Sequence, residues 1–162
     1  MEMWDKINTD EGQANKLLSE GMKHGNQQTN IVNKMSQGNL LNCQGEKEII
    51  YVEYGAGKAG LSSFVAQELG AMHTKEPFEK SKLSFLVIDR DSRRFKKDKY
   101  VKAAGFVVER QKIDIADFDL VKYTQLKIKE DIGAPKVIGI AKHLCGGATD
   151  LALTSFEKLP GA

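Results

Sequence analysis

Short apolar runs alternate along most of this chain with longer stretches of helical spacing. Ile49-Ile50-Tyr51-Val52, Leu83-Ser84-Phe85-Leu86-Val87-Ile88 and Val137-Ile138-Gly139-Ile140-Ala141 are rich in β-branched and aromatic residues. Each reads as a buried strand, over 48–54, 82–88 and 137–141. Phe106-Val107-Val108 and Gln111-Lys112-Ile113 approach a less continuous strand ending at Asp114. Helices are predicted over 60–71, 92–104, 120–130 and 148–158, the second stopped by Gly105. Strands alternating with helices give an α/β, Rossmann-like class with a mostly parallel sheet and right-handed crossovers.

Residues 1–45 differ. They are polar, rich in Asn and Gln, and carry only two modest apolar stripes, Leu17-Leu18-Met22 and Ile31-Val32-Met35. One or two helices are predicted there, broken near His24-Gly25-Asn26, either capping the pocket of the following domain or packing on its sheet. The chain therefore divides into an N-terminal helical segment, 1–45, and a sheet domain, 46–162.

With 162 residues, of which 41% are hydrophobic and 28% charged, the chain can bury a single core. No apolar run approaches the ~20 residues of a membrane span. Cys43 and Cys145 are too few for a disulfide framework or a four-cysteine zinc site, so no metal is expected and a reducing, intracellular location is. The net charge of +2 decides nothing, but its distribution does. Between Lys75 and Lys102 there are ten Lys or Arg against five Asp or Glu. Arg93, Arg94, Lys96 and Lys97 on the helix after the second strand supply most of the excess. They read either as a solvated face or as a platform for nucleic-acid phosphates.

The chemistry concentrates where strands end. The first strand closes on Glu53 and a turn, Gly55-Ala56-Gly57-Lys58-Ala59-Gly60, that opens a helix. A strand, a glycine turn and a helix N-terminus form the nucleotide-binding corner of a doubly wound sheet. Glu53 argues against a diphosphate there and for a cationic ligand without phosphates, such as the sulfonium and amino group of S-adenosylmethionine. Asp89, ending the second strand beside Arg90, can accept both hydroxyls of a ribose. Asp114 is expected near the adenine, with Ile115 packed on the ring. Lys142-His143-Leu144-Cys145-Gly146 ends the last strand, where methyl transfer would occur. Cys145 there suits either a covalent nucleophile for a pyrimidine or a small buried residue. Lys142 and His143 are candidates to deprotonate or orient an oxygen nucleophile.

These motifs resemble one family: the eukaryotic tRNA 2′-O-methyltransferases that modify the fourth nucleotide of the acceptor stem. The matching pieces are Val-Glu-Tyr-Gly-Ala-Gly-Lys at 52–58, Ile-Asp-Arg at 88–90 with Arg94, Lys97 and Asp98, Arg110 with Lys112-Ile113-Asp114-Ile115, and Lys-His-Leu-Cys-Gly at 142–146 with Ala-Thr-Asp-Leu at 148–151. The resemblance implies a tRNA partner, S-adenosylmethionine as cofactor, a ribose 2′-hydroxyl as acceptor and a cytoplasmic or nuclear location. On that reading Lys142 is the first choice for handling the hydroxyl proton, His143 the second, and Cys145 is assigned to packing. Covalent base methylation through Cys145 and a non-catalytic cofactor-binding module are the alternatives. The chain departs from the family at Ala59, where glycine is usual, and in lacking the family's Cys/His zinc modules. Only four strands are counted where a complete sheet has about seven. A methyltransferase domain fragment is therefore expected, ending after the fourth strand and its helix, with weak cofactor binding and undetectable turnover.

Overall fold

A computed structural model describes residues 25–45, 48–72, 82–91, 97–128 and 133–160. Among the described residues four strands form one sheet: β1 (Ile49–Tyr54), β2 (Leu83–Ile88), β3 (Val107–Gln111) and β4 (Lys136–Ile140). Their spatial order is β3-β2-β1-β4 and every pairing is parallel. The α/β, Rossmann-like class holds. Around the sheet lie α1 (25–37), α2 (Gly60–Met72), α3 (Asp98–Ala103), a 3-10 turn (Ile115–Asp117), α4 (Leu120–Gln125) and α5 (Gly147–Glu157).

Every residue of β1 is buried, as a strand covered on both faces requires. Alternate side chains enter opposite layers. Ile49 and Tyr51 join Phe85 of β2 in a core with Val32 and Met35 of α1, Leu61, Val65 and Leu69 of α2, and Val101 of α3. Ile50, Val52 and Tyr54 join Leu86 and Ile88 in a second core with Leu120 of α4 and Ala152 of α5. The Tyr51 ring stacks on Phe85 at 5.3 Å, and its hydroxyl donates to the Leu40 carbonyl at 2.8 Å. That bond fastens the segment after α1 to the central strand. On the other face, a Cβ at Gly139 would lie 2.6 Å from the Phe156 ring, so a strand glycine lets α5 approach β4 closely.

The register sets up the site. Tyr54 pairs with Ile88 and Glu53 with Ile140, so β1, β2 and β4 end at about one level. The sheet order reverses at β1, with β2 on one side and β4 on the other. Such a reversal leaves a crevice at the carboxyl ends of the strands, where open α/β sheets bind ligands.

Several boundaries differ from the sequence reading: α4, expected over 120–130, ends at Gln125 with Leu126 as its C-cap. β3 is continuous through Glu109 and Arg110 and ends at Gln111, and Asp114 instead caps the 3-10 turn by accepting from the Ala116 amide at 3.1 Å. The basic helix, expected over 92–104, is described as Asp98–Ala103 with Lys97 as its N-cap, and residues 92–96 lie outside the described residues.

Candidate active site

After Tyr54 the chain turns through Gly55-Ala56-Gly57-Lys58-Ala59 into α2. Gly55, Gly57 and Ala59 have φ of 61°, 52° and 57°, in the left-handed region where glycine carries no Cβ penalty. At Gly55 a side chain would also crowd the 142–146 segment, since a Cβ there would sit 3.2 Å from Leu144 Cδ1. Ala59 holds the same conformation with a methyl group and is fully buried.

The turn is tied to the neighbouring strands. The Ala56 amide donates to the Ile88 carbonyl at 3.1 Å, and the Gly57 amide donates to Asp89 Oδ2 at 2.6 Å. Asp89 Oδ1 accepts from the Asp91 amide at 2.7 Å. Each carboxylate oxygen keeps a second lone pair, so Asp89 can serve the turn and still accept hydroxyls. On the far side of the turn, Arg110 Nη1 donates to the Gly57 carbonyl at 3.0 Å, while its Nε and Nη2 donate to Asp98 at 3.1 and 2.7 Å.

A cavity of about 300 Å³ lies at these strand ends. Gly55, Asp89, Arg90, Ile113, Asp114 and Ile115 line it from the ends of β1, β2 and β3. His143, Leu144, Cys145, Ala148 and Leu151 line it from the segment joining β4 to α5. Its size is at the lower end for small-molecule sites, and it mixes carboxylates with aliphatic walls. A larger cavity, about 390 Å³, lies beside Pro135 and Lys136 at the amino end of β4, away from these groups. Arg90 approaches Asp114 at 3.8 Å across the first cavity, both side chains well exposed, so that pair contributes little stability.

Six expected site residues thus meet at one cavity: Gly55, Asp89, Arg90, Asp114, Ile115 and His143. Ala56, Gly57, Lys58 and Gly60 belong to the turn and first helical residue behind it and are not among its lining. Neither is Glu53. Its place on β1 has the parity of Ile49 and Tyr51, which turns the side chain towards α2. There it is 3% exposed and accepts from the Ser62 amide at 2.9 Å and from the Ser62 hydroxyl. Burial pushes its carboxyl above the usual range, against the pull of Ser62, of the Leu61 amide and of the Arg110 charge.

Lys142 is half-buried and also not among the lining residues. Burial and the neighbouring charge of Lys97 hold its ammonium below the ordinary lysine value, while Glu53 works in the opposite direction. Lys97 is half-buried too, its Nζ 5.8 Å from the Phe64 ring centroid and turned towards the start of α2. Arg93, Arg94 and Lys96, the other expected RNA contacts, lie outside the described residues. The assignment of Cys145 to packing needs correction: the thiol is exposed and lines the cavity, because the loop before α5 faces the crevice and leaves the core to Leu144. Sequence reasoning missed Ile113, Leu144, Ala148 and Leu151 in the lining and gave Arg110 no role. Arg110 stands among the residues that carry the family resemblance, but as a charge in mid-strand it reads in the sequence as an interruption of the strand, with no task attached.

Comparison with known proteins gives these features a family. The family model described as methyltransferase TRM13 matches residues 26–160. The protein named tRNA:m(4)X modification enzyme TRM13 from Debaryomyces hansenii is 35% identical over 159 residues, covering 92% of this chain and 33% of that protein. The Homo sapiens protein named tRNA:m(4)X modification enzyme TRM13 homolog is 37% identical over 131 residues, 81% of this chain and 24% of its own length. The Schizosaccharomyces pombe relative of the former name is 33% identical over 155 residues, 90% and 38% respectively. The chain thus spans between about a quarter and two-fifths of the length of these relatives. No solved structure is significantly similar.

Proposed function

The chain belongs to the methyltransferase TRM13 family, and from that premise we propose that it binds S-adenosylmethionine at the 300 Å³ cavity as part of an enzyme that methylates a ribose 2′-hydroxyl of tRNA. The relatives are named as tRNA modification enzymes, which supports tRNA as the substrate and an intracellular setting. The observation that carries the cofactor reading is the position of Asp89. It is fixed by the Gly57 amide at the cavity wall, between the glycine turn and the aliphatic side chains of Ile113 and Ile115. That set fits an adenosine: acceptors for two ribose hydroxyls beside apolar surface for a ring. Bound there, the cofactor supplies an electrophilic methyl group on a cationic sulfur.

The chain's own groups have separable tasks. Asp89 receives ribose hydroxyls, and Asp114 and Ile115 hold the base end. Gly55 keeps the turn free of a side chain beside Leu144. Glu53 contributes indirectly, holding the start of α2 through the Ser62 amide and hydroxyl. Lys142, with its ammonium easier to deprotonate than an ordinary lysine, takes or holds the proton of the acceptor hydroxyl. His143, on the cavity wall, orients the acceptor or replaces Lys142 in that task. The basic residues before α3 meet RNA phosphates.

One observation favours a second reading. Cys145 is exposed on the cavity wall, where a thiolate could attack a pyrimidine and form a covalent adduct. Nucleoside mass analysis of tRNA treated with the native-length gene product and labelled cofactor separates the two. Ribose methylation leaves the base mass unchanged, and Cys145→Ser keeps substantial activity. A methylated base, with Cys145→Ser inactive, would replace the ribose reading.

A further inference from the structure

Arg110 sits on β3 behind the glycine turn and is not among the residues lining the cavity. Its side chain is 11% exposed, and three of its nitrogens are committed: two to Asp98 at the start of α3, one to the Gly57 carbonyl 53 residues away. The Gly57 residue is therefore gripped at both ends. Its amide points to the Asp89 carboxylate at 2.6 Å and its carbonyl to the Arg110 guanidinium at 3.0 Å. Both are charge-assisted contacts, and they hold a residue in the left-handed region that would otherwise have glycine's full freedom. We propose that Arg110, oriented by Asp98, is a positioning residue for the cofactor site: it fixes Gly57, and Gly57 fixes Asp89.

The geometry separates this role from that of an ion pair that merely joins α3 to β3. Such a pair would need only Nε and Nη2, yet Nη1 is aimed at the turn. The planar fork of arginine serves both partners at once, whereas a lysine offers one ammonium and cannot hold Asp98 bidentately while reaching Gly57. Because Arg110 is not among the residues lining the cavity, its hydrogen bond to the Gly57 carbonyl is the direct route by which it reaches the turn.

The inference rests on the cofactor reading above, so its test keeps the two apart. Calorimetric affinity for S-adenosylhomocysteine and thermal midpoints are measured for the wild type, Arg110→Lys, the charge-balanced pair Asp98→Asn with Arg110→Gln, and Leu83→Val. Leu83 is fully buried at the far end of β2 and serves as a control for stability alone. Leu83→Val should lower the midpoint and leave affinity unchanged. Both clamp variants should bind about fivefold more weakly or worse at temperatures where they are folded. Clamp variants within about twofold of wild type in affinity, with lowered midpoints, would reduce the pair to a structural tie. Amide exchange at Gly57 in the ligand-free protein should be faster in Arg110→Lys, and unchanged exchange would overturn the clamp whatever the ligand. A wild type that binds no S-adenosylhomocysteine overturns the cofactor reading, and the positioning role with it.

Discussion

The Gly57 amide donates to Asp89 Oδ2 at 2.6 Å across a separation of 32 residues. This one bond joins the turn after β1 to the end of β2, and it sets the carboxylate on the wall of the cavity between them. A glycine turn and a strand-end aspartate, each common alone, here form one unit.

Ala59 tests how that turn is built. Its φ of 57° costs an L-residue about 1–2 kcal/mol, while its buried methyl contributes roughly 0.8 kcal/mol. Ala59→Gly trades one against the other and should change unfolding free energy by less than about 1 kcal/mol. Ala59→Val adds branching in the same conformation without space for it, and should cost more than about 2 kcal/mol. Denaturant titration of the three proteins measures both. Equal stability of Val and Gly variants would contradict the backbone assignment.

Much of this is legible in the sequence, and the reasons differ by element. β1 and β2 announce themselves because a strand covered on both faces must be apolar throughout, and β4, an outer strand with Lys136 and Gly139 exposed, does so through the apolar run Val137-Ile138-Gly139-Ile140. Their strand-end residues then follow from the parallel topology, which brings Asp89 and His143 to one cavity, beside Asp114 of the 3-10 turn. β3 is harder to read. Like β4 it is an outer strand of the described sheet, but its residues are exposed or half-buried and it accommodates Glu109 and Arg110, so no apolar run marks it. Sequence adjacency to the glycines draws Glu53 to the ligand, although its parity with Ile49 and Tyr51 aims it at α2. The partnership of Arg110 with Gly57 depends on three-dimensional packing across 53 residues and leaves no local trace.

The buried Glu53 carboxyl gives a pH signature. Burial raises its pKa, so the folded protein holds that proton more tightly than the unfolded chain does. The resulting stability is complete below the ordinary carboxylate value of 4.5 and is lost as pH rises through the higher folded value. Glu53→Gln, which cannot lose a proton, should gain on the wild type as pH is raised from about 4.5 to 8. Chemical denaturation across that range should show the difference between the two proteins closing or reversing. A difference that widens in favour of the wild type would mean that Ser62, Leu61 and Arg110 outweigh burial.

Lys142 should carry a matching signature in catalysis. Its depressed pKa arises from burial and from Lys97, so the rate of methyl transfer in the native-length gene product should rise with pH along a limb below 10.5. Lys97→Gln removes one cause of the depression and should move that limb to higher pH. Lys142→Ala should abolish turnover and leave cofactor affinity nearly intact. A limb unmoved by Lys97→Gln and present in Lys142→Ala would transfer the proton-handling role to another group, with His143 next in line.

The basic segment ahead of α3 should register as a salt effect. Each phosphate that the protein no longer neutralises flattens the slope of log affinity against log salt by roughly 0.7–0.9. Arg94→Glu combined with Lys97→Glu should reduce that slope for tRNA by one to two such increments. An identical slope in variant and wild type would return the segment to a solvated face.

The most direct test of the account is calorimetric binding of S-adenosylhomocysteine to the chain, with and without Asp89→Ala. The wild type should bind S-adenosylhomocysteine and not NADH. Asp89→Ala should weaken that binding about tenfold or more, as expected when hydrogen bonds to an ionised carboxylate are removed. Equal affinity in the two proteins would remove Asp89 from the site, and binding of NADH without S-adenosylhomocysteine would contradict the cofactor assignment outright.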